Sequence, residues 1–230
     1  MNTKLSSTSA IIIGLVIGGL SQASAQISNG SFEDLNGATN PNPSTTNYNS
    51  IIPTPWTNGT GTADWFLPNP TPSTNANWEL SEGVGASPDG GAFVSARWHS
   101  TTSESFSQTI SGLTPGATYQ VSFYQTNAGN GDATTWDYTG DGWWDVDMFG
   151  TTQSSSVRAF EGIGNQTWTG DVLSFTANSA STTVQFNAQG NAGEYANMGL
   201  DGVVVSQVPE PSAALLGALS ALMFGLRRRR

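Results

Sequence analysis

The chain has no cysteine among its 230 residues. That excludes a disulfide framework, a thiolate metal site and a cysteine nucleophile. Bases are scarce as well: 7 Lys and Arg stand against 17 Asp and Glu, for a net charge of −10. A nucleic-acid reader needs a basic face, which this chain cannot build. Histidine occurs once, as His99. With no G-x-S-x-G, no H-E-x-x-H and no second histidine, neither a nucleophile elbow nor a histidine zinc triad is encoded. A helical hydrophobic period is missing from the body of the chain too.

What is abundant points to strands. There are 27 glycines and 11 prolines, with many Ser, Thr and Asn, a composition of turns more than of long helices. Eight tryptophans supply enough apolar ring area to offset the ordering entropy of a fold.

Both ends differ from the middle. Lys4 precedes an apolar run over residues 11–20, and Ala23-Ser24-Ala25 follows as a small-x-small cleavage site, so residues 1–25 read as a secretory signal with Gln26 the first mature residue. At the other end Val208-Pro209-Glu210-Pro211-Ser212 leads into an apolar run over residues 213–226 and then Arg227-Arg228-Arg229-Arg230. The prolines keep the motif extended and open to a protease. The helix after it, at about 1.5 Å per residue, reaches roughly 22 Å and spans a bilayer core of about 30 Å only with thinning and snorkelling. Four arginines behind it stay cytoplasmic, leaving the rest outside.

This tail resembles the PEP-CTERM sorting signal of Gram-negative bacteria, in which a Pro-Glu-Pro motif, a short transmembrane helix and an arginine cluster occur in that order. The resemblance implies export past the inner membrane by way of signal peptidase, handling by an exosortase, and release or attachment at the cell surface, often beside exopolysaccharide. A plain uncut C-terminal anchor is the simpler reading of the same residues.

Between the two ends the only bases are Arg97 and Arg158, against 16 acidic residues. A body this acidic is repelled by DNA and anionic headgroups and offers oxygens to divalent cations. Alternation marks Phe106, Gln108 and Ile110, then Tyr119, Val121 and Phe123, then Leu173 and Phe175, then Val184, Phe186 and Ala188. Further strands are expected over residues 26–33, 62–67, 91–98, 144–150 and 199–206. Eight or nine strands with Gly/Asn/Pro turns indicate an all-β, antiparallel jelly-roll sandwich over residues 26–207, with residues 208–230 as the sorting tail. Residues 37–55 and 68–77 read as surface loops.

The body resembles galactose-binding-like jelly rolls, the superfamily of many carbohydrate-binding modules and of the DUF642-like and choice-of-anchor surface domains. Asn29-Gly30-Ser31-Phe32-Glu33, Pro55-Trp56, Ala63-Asp64-Trp65, Leu113-Thr114-Pro115-Gly116 and Gly199-Leu200-Asp201-Gly202-Val203 carry it, in the expected order. It implies a structural Ca²⁺ held by Glu33 and Asp201 where the first and last strands meet, with Asn29 or backbone carbonyls as further ligands. Ca²⁺ takes six to eight hard oxygens, and buried carboxylates need a cation. The alternative is that both acids merely cap backbone amides.

Two more features bear on function. Asp137, Asp141 and Asp145 sit at positions 1, 5 and 9 of a loop with Gly142 at 6, as in an EF-hand, but Thr139 and Met148 replace two expected ligands. A solvated hairpin turn explains the same residues. Trp136 and Trp143 suit a platform for the apolar face of a sugar, whereas alternation buries one of Trp143 and Trp144 in the core. The leading reading is an exported, non-enzymatic surface protein associated with exopolysaccharide. The alternatives are a carbohydrate-binding module with a tryptophan-lined site and a polysaccharide hydrolase built on a carboxylate pair such as Glu79 and Asp145.

Overall fold

The computed structural model describes residues 27–34, 52–68, 84–129 and 138–209. Eleven strands are found among them: β1 (Thr57–Asn58), β2 (Asp64–Phe66), β3 (Phe93–His99), β4 (Thr102–Ser103), β5 (Ser105–Ser111), β6 (Thr118–Asn127), β7 (Gly142–Met148), β8 (Thr151–Ser154), β9 (Thr169–Thr176), β10 (Ser181–Gly190) and β11 (Tyr195–Gln207). They form a five-stranded sheet in the order β1-β5-β10-β7-β8 and a six-stranded sheet in the order β2-β3-β11-β6-β9, with β4 beside β3. Every pairing is antiparallel. The fold is the all-β jelly-roll sandwich expected from the alternation.

Period-2 patterning explains why the sheets stack. In β10 Val184, Phe186 and Ala188 are buried while Gln185, Asn187 and Gln189 are half-buried on the other face. Phe186 pairs with Val146 on one side and Phe106 on the other, and those rings and branches point into the sandwich. Phe106 stacks on Phe186 at 5.6 Å between centroids and meets Trp144 edge-on at 5.8 Å. Trp56 and Phe123 close on the same Phe186 at 6.1 and 5.4 Å. Each such side chain contributes about 1.5–3 kcal/mol by leaving water.

The opening segment departs from expectation. Residues 27–34 form a turn, not a strand. Asn29 and Phe32 take positive φ of 52° and 56°, which no extended strand tolerates. The segment is held instead by side chains. The Gln108 amide accepts from the Ser28 N–H and donates to the Ser28 carbonyl, both at 2.8 Å. Short edge strands β1, β4 and β8 carry too few residues to show a period, which is why alternation misses them.

The signal-peptide residues, the sorting motif from Glu210 onward, the arginine cluster, Trp136, Asp137 and Glu79 lie outside the described residues; Val208 and Pro209 follow the end of β11. Among the described residues no helix is long and apolar enough to cross a membrane.

Candidate functional site

The outer face of the five-stranded sheet is a polar ladder. Register sets Gln189 opposite Trp143, Asn187 opposite Asp145, and Gln185 opposite Asp147. Ser105 and Ser107 of β5 face Asn187 and Gln185, while Ser154 and Thr152 of β8 face Asp145 and Asp147. Alternation along β7 thus sends Trp144 fully into the core and leaves Trp143 half-buried on this face.

Internal hydrogen bonds tie the ladder's side chains to one another. Trp143 Nε1 donates to Asp145 Oδ1 at 3.2 Å, and Ser154 Oγ donates to the same oxygen at 2.6 Å. Asn187 Nδ2 donates to Asp147 Oδ2 at 2.9 Å, and Gln185 Nε2 donates to Asn187 Oδ1 at 2.7 Å. Thr152 also donates to Asp147. A carboxylate offers about four lone-pair sites; neighbours among the described residues fill two on each of these acids. Neither base of the body supplies a side chain to the ladder: Arg97 is on β3, and Arg158, whose backbone pairs with Gly142 beside Trp143, turns its guanidinium to Glu161 at 3.2 Å.

Asp145 therefore belongs to a strand rather than to a calcium loop. Asp141 stands just before β7, four residues away, about 13 Å along an extended chain. It lines a cavity of about 410 Å³ with Thr139, Glu194 and Tyr195 instead. The EF-hand-like spacing does not bring these two aspartates onto one ion, because a pleated strand spreads what a loop would gather.

Glu33 lies within electrostatic reach of Asp201. Asp201 is buried at the point where the β11–β6 register shifts, and Ser87 Oγ and the Gly202 N–H donate to its two oxygens. Burial is the main cause lifting its pKa to about 7, and the negative charges of Asp89 and Glu33 add to it. Glu33 Oε1 accepts from the Ala92 N–H at 2.6 Å, and its carboxylate fills the space beside Gly91. Gly91 has φ of +65°, and a Cβ there would lie 1.7 Å from that oxygen. Asn29 turns away, with Nδ2 donating to the Asp34 and Thr54 carbonyls at 2.7 and 3.1 Å. Among the described residues no three or more His, Asp or Glu side chains are grouped to hold a metal ion.

Sequence reasoning passed over a third cluster. Arg97, buried on β3, pairs with buried Asp64 of β2 at 3.4 Å. Glu104 Oε2 accepts from the Arg97 backbone N–H at 2.9 Å, and burial lifts its pKa to about 7 against the opposing pull of Arg97. Tyr138, pushed up to about 12 chiefly by burial, lies beneath the guanidinium at 5.9 Å. A signal existed: alternation along residues 91–98 sets Arg97 on the face away from Val94 and Ala96, which points one of the body's two bases out of the sandwich core.

No family model matches the chain, and no curated protein does. Solved structures of similar backbone path exist. The enzymatically active domain of bacteriophage CBA120 tailspike protein 4 is 14% identical with a TM-score of 0.42, over 80% of this chain and 21% of that one. The chain thus spans about a fifth of the tailspike. TmCBM61, solved with β-1,4-galactotriose, is 14% identical with a TM-score of 0.43, over 80% of this chain and 99% of that one. The CBM22-1 xylan-binding domain from Paenibacillus barcinonensis Xyn10C is 14% identical with a TM-score of 0.40, over 82% of this chain and 98% of that one.

Proposed function

We propose that the protein is an exported glycan-binding domain whose ligand lies across the outer face of the five-stranded sheet. The observation that carries this reading is the half-buried Trp143 indole beside a base-free ladder of planar amides and carboxylates. A sugar ring has an apolar C–H face, which packs on an indole, and a rim of hydroxyls, which amides and carboxylates bind as both donors and acceptors. Asp145, Asp147, Gln185, Asn187 and Gln189 supply such groups at strand spacing. The surface is acidic, so the glycan it suits is neutral. A glycan array probed with the full-length protein tests this: binding to neutral glycans is expected, lost in Trp143→Ala. An array without neutral hits would remove the reading.

Export and surface sorting belong to the same proposal and rest on the two ends of the sequence. Signal peptidase acts after Ala25, and an exosortase recognises Val208-Pro209-Glu210-Pro211-Ser212, leaving an acidic domain at the cell surface among polysaccharide.

Calcium at the Glu33–Asp201 corner is the third element. Its support is a buried carboxylate whose ionisation is opposed by burial and by two neighbouring acids, a penalty that a divalent cation would relieve. Hard oxygens beyond these side chains would come from backbone carbonyls and water.

A further inference from the structure

A cavity of about 230 Å³ is lined by Gly61, Arg97, His99, Thr102, Glu104 and Tyr138, none of them a residue of the Trp143 ladder. The Tyr138 side chain is fully buried, and its hydroxyl has no hydrogen-bond partner among the described residues. A buried hydroxyl left unpaired costs about 1–3 kcal/mol, so a fold that keeps one beside a cavity stores binding energy for whatever supplies the partner.

We propose that this cavity binds one neutral polyhydroxylated ring, with the Tyr138 hydroxyl donating to the ligand and the Glu104 carboxyl bonding a second hydroxyl. Three observations fix the chemistry. The first is size: drug-sized ligands fill pockets of about 300–1,000 Å³, so this cavity has room for a single ring and not for a chain. The second is charge. The Arg97 guanidinium is committed to Asp64 at 3.4 Å, so an anion would meet Asp64 and Glu104 with no cation to spare for it. A cation would require Glu104 ionised, and burial opposes that. The third is the wall. Tyr138 and His99 line the cavity, and Tyr195, outside it, joins them by packing against His99 at 4.5 Å and edge-on against Tyr138 at 5.8 Å, so two rings are offered to a sugar's C–H face.

The groups facing Glu104 set its response to pH. Arg97 and His99 come from β3, Asp64 from β2, and Tyr138 from the segment before β7. Protonated Glu104 both donates to and accepts from a ligand hydroxyl, whereas ionised Glu104 only accepts and repels the neighbouring Asp64. Affinity therefore falls as pH rises through about 7.

The inference is independent of the Trp143 site, and its test keeps the two apart. Full-length protein is titrated with D-glucose, D-galactose, D-xylose and L-arabinose, with glucosamine and glucuronate as charged controls, by isothermal calorimetry at pH 6 and pH 8. At least one neutral sugar is expected to bind, more tightly than either charged control and more tightly at pH 6. Tyr138→Phe, which removes a hydroxyl the fold does not use, is expected to weaken that binding tenfold or more without lowering the melting temperature. Glu104→Gln is expected to abolish the pH difference, and in a Trp143→Ala background, where the ladder no longer binds, the loss caused by Tyr138→Phe is expected to remain. Longer oligomers of the binding sugar distinguish a free monosaccharide from a chain end: equal affinity for them means that a terminal unit is bound. The proposal is overturned if no neutral sugar binds, if a charged control binds best, or if Tyr138→Phe binds as the wild type does.

Discussion

Trp143 donates its indole N–H to Asp145 two residues along the same strand, at 3.2 Å, so the ring and the acid are fixed side by side on one face of β7. Its neighbour Trp144 is wholly inside the sandwich. Replacing each by alanine is expected to separate binding from folding. Trp144→Ala removes a core ring and should cost about 3–5 kcal/mol. Trp143→Ala should cost about 1 kcal/mol or less and abolish glycan binding. Denaturant unfolding and affinity measurement on both variants check the pair.

Calcium should raise the melting temperature, because an ion that binds only the folded state stabilises by mass action. The rise should disappear in EDTA and in Asp201→Asn. A melt indifferent to calcium and EDTA would remove ion binding at the Glu33 corner.

Glu104 gives the stability a pH dependence of definite sign. Its folded pKa is raised from 4.5 to about 7, so the folded state holds a proton that the unfolded chain releases. The stabilisation is fully present below pH 4.5 and is lost as pH rises through 7, by roughly 3 kcal/mol. Glu104→Gln should flatten that part of the curve, read as the difference between variant and wild type in urea unfolding between pH 5 and pH 8.

Gly91→Ala should destabilise by about 2 kcal/mol, since a left-handed backbone strains any side chain and the new methyl displaces the Glu33 carboxylate. The same variant should weaken any response to calcium. Thermal melts with and without the ion read both effects.

Mass spectrometry of the protein recovered from its native cells should find Gln26 at the N-terminus and a C-terminus near Pro209-Glu210-Pro211. Full-length chain with both ends intact would contradict the export account.

The sandwich was legible because its long strands alternate cleanly: Tyr119, Val121 and Phe123 in β6 and Val184, Phe186 and Ala188 in β10 all point into the core. Trp143 was legible for the same reason, as one of two adjacent rings that a pleat must separate. The turn at residues 27–34 was not, since left-handed Asn29 and Phe32 leave no mark in hydrophobic period. Asp89 and Ser87 joined the Glu33–Asp201 corner unannounced, because a turn before β3 carries them there. The Arg97–Asp64–Glu104 cluster depends on β2 pairing with β3 across a long sequence gap, which spacing alone does not reveal.

The most direct test of the central claim is affinity electrophoresis of wild-type protein and Trp143→Ala through gels containing a neutral polysaccharide chosen from the array. Retarded wild type beside an unretarded variant that is still folded, with a melting temperature within a few degrees of the wild type's, is the expected result. Equal migration of the two in every such gel would contradict it.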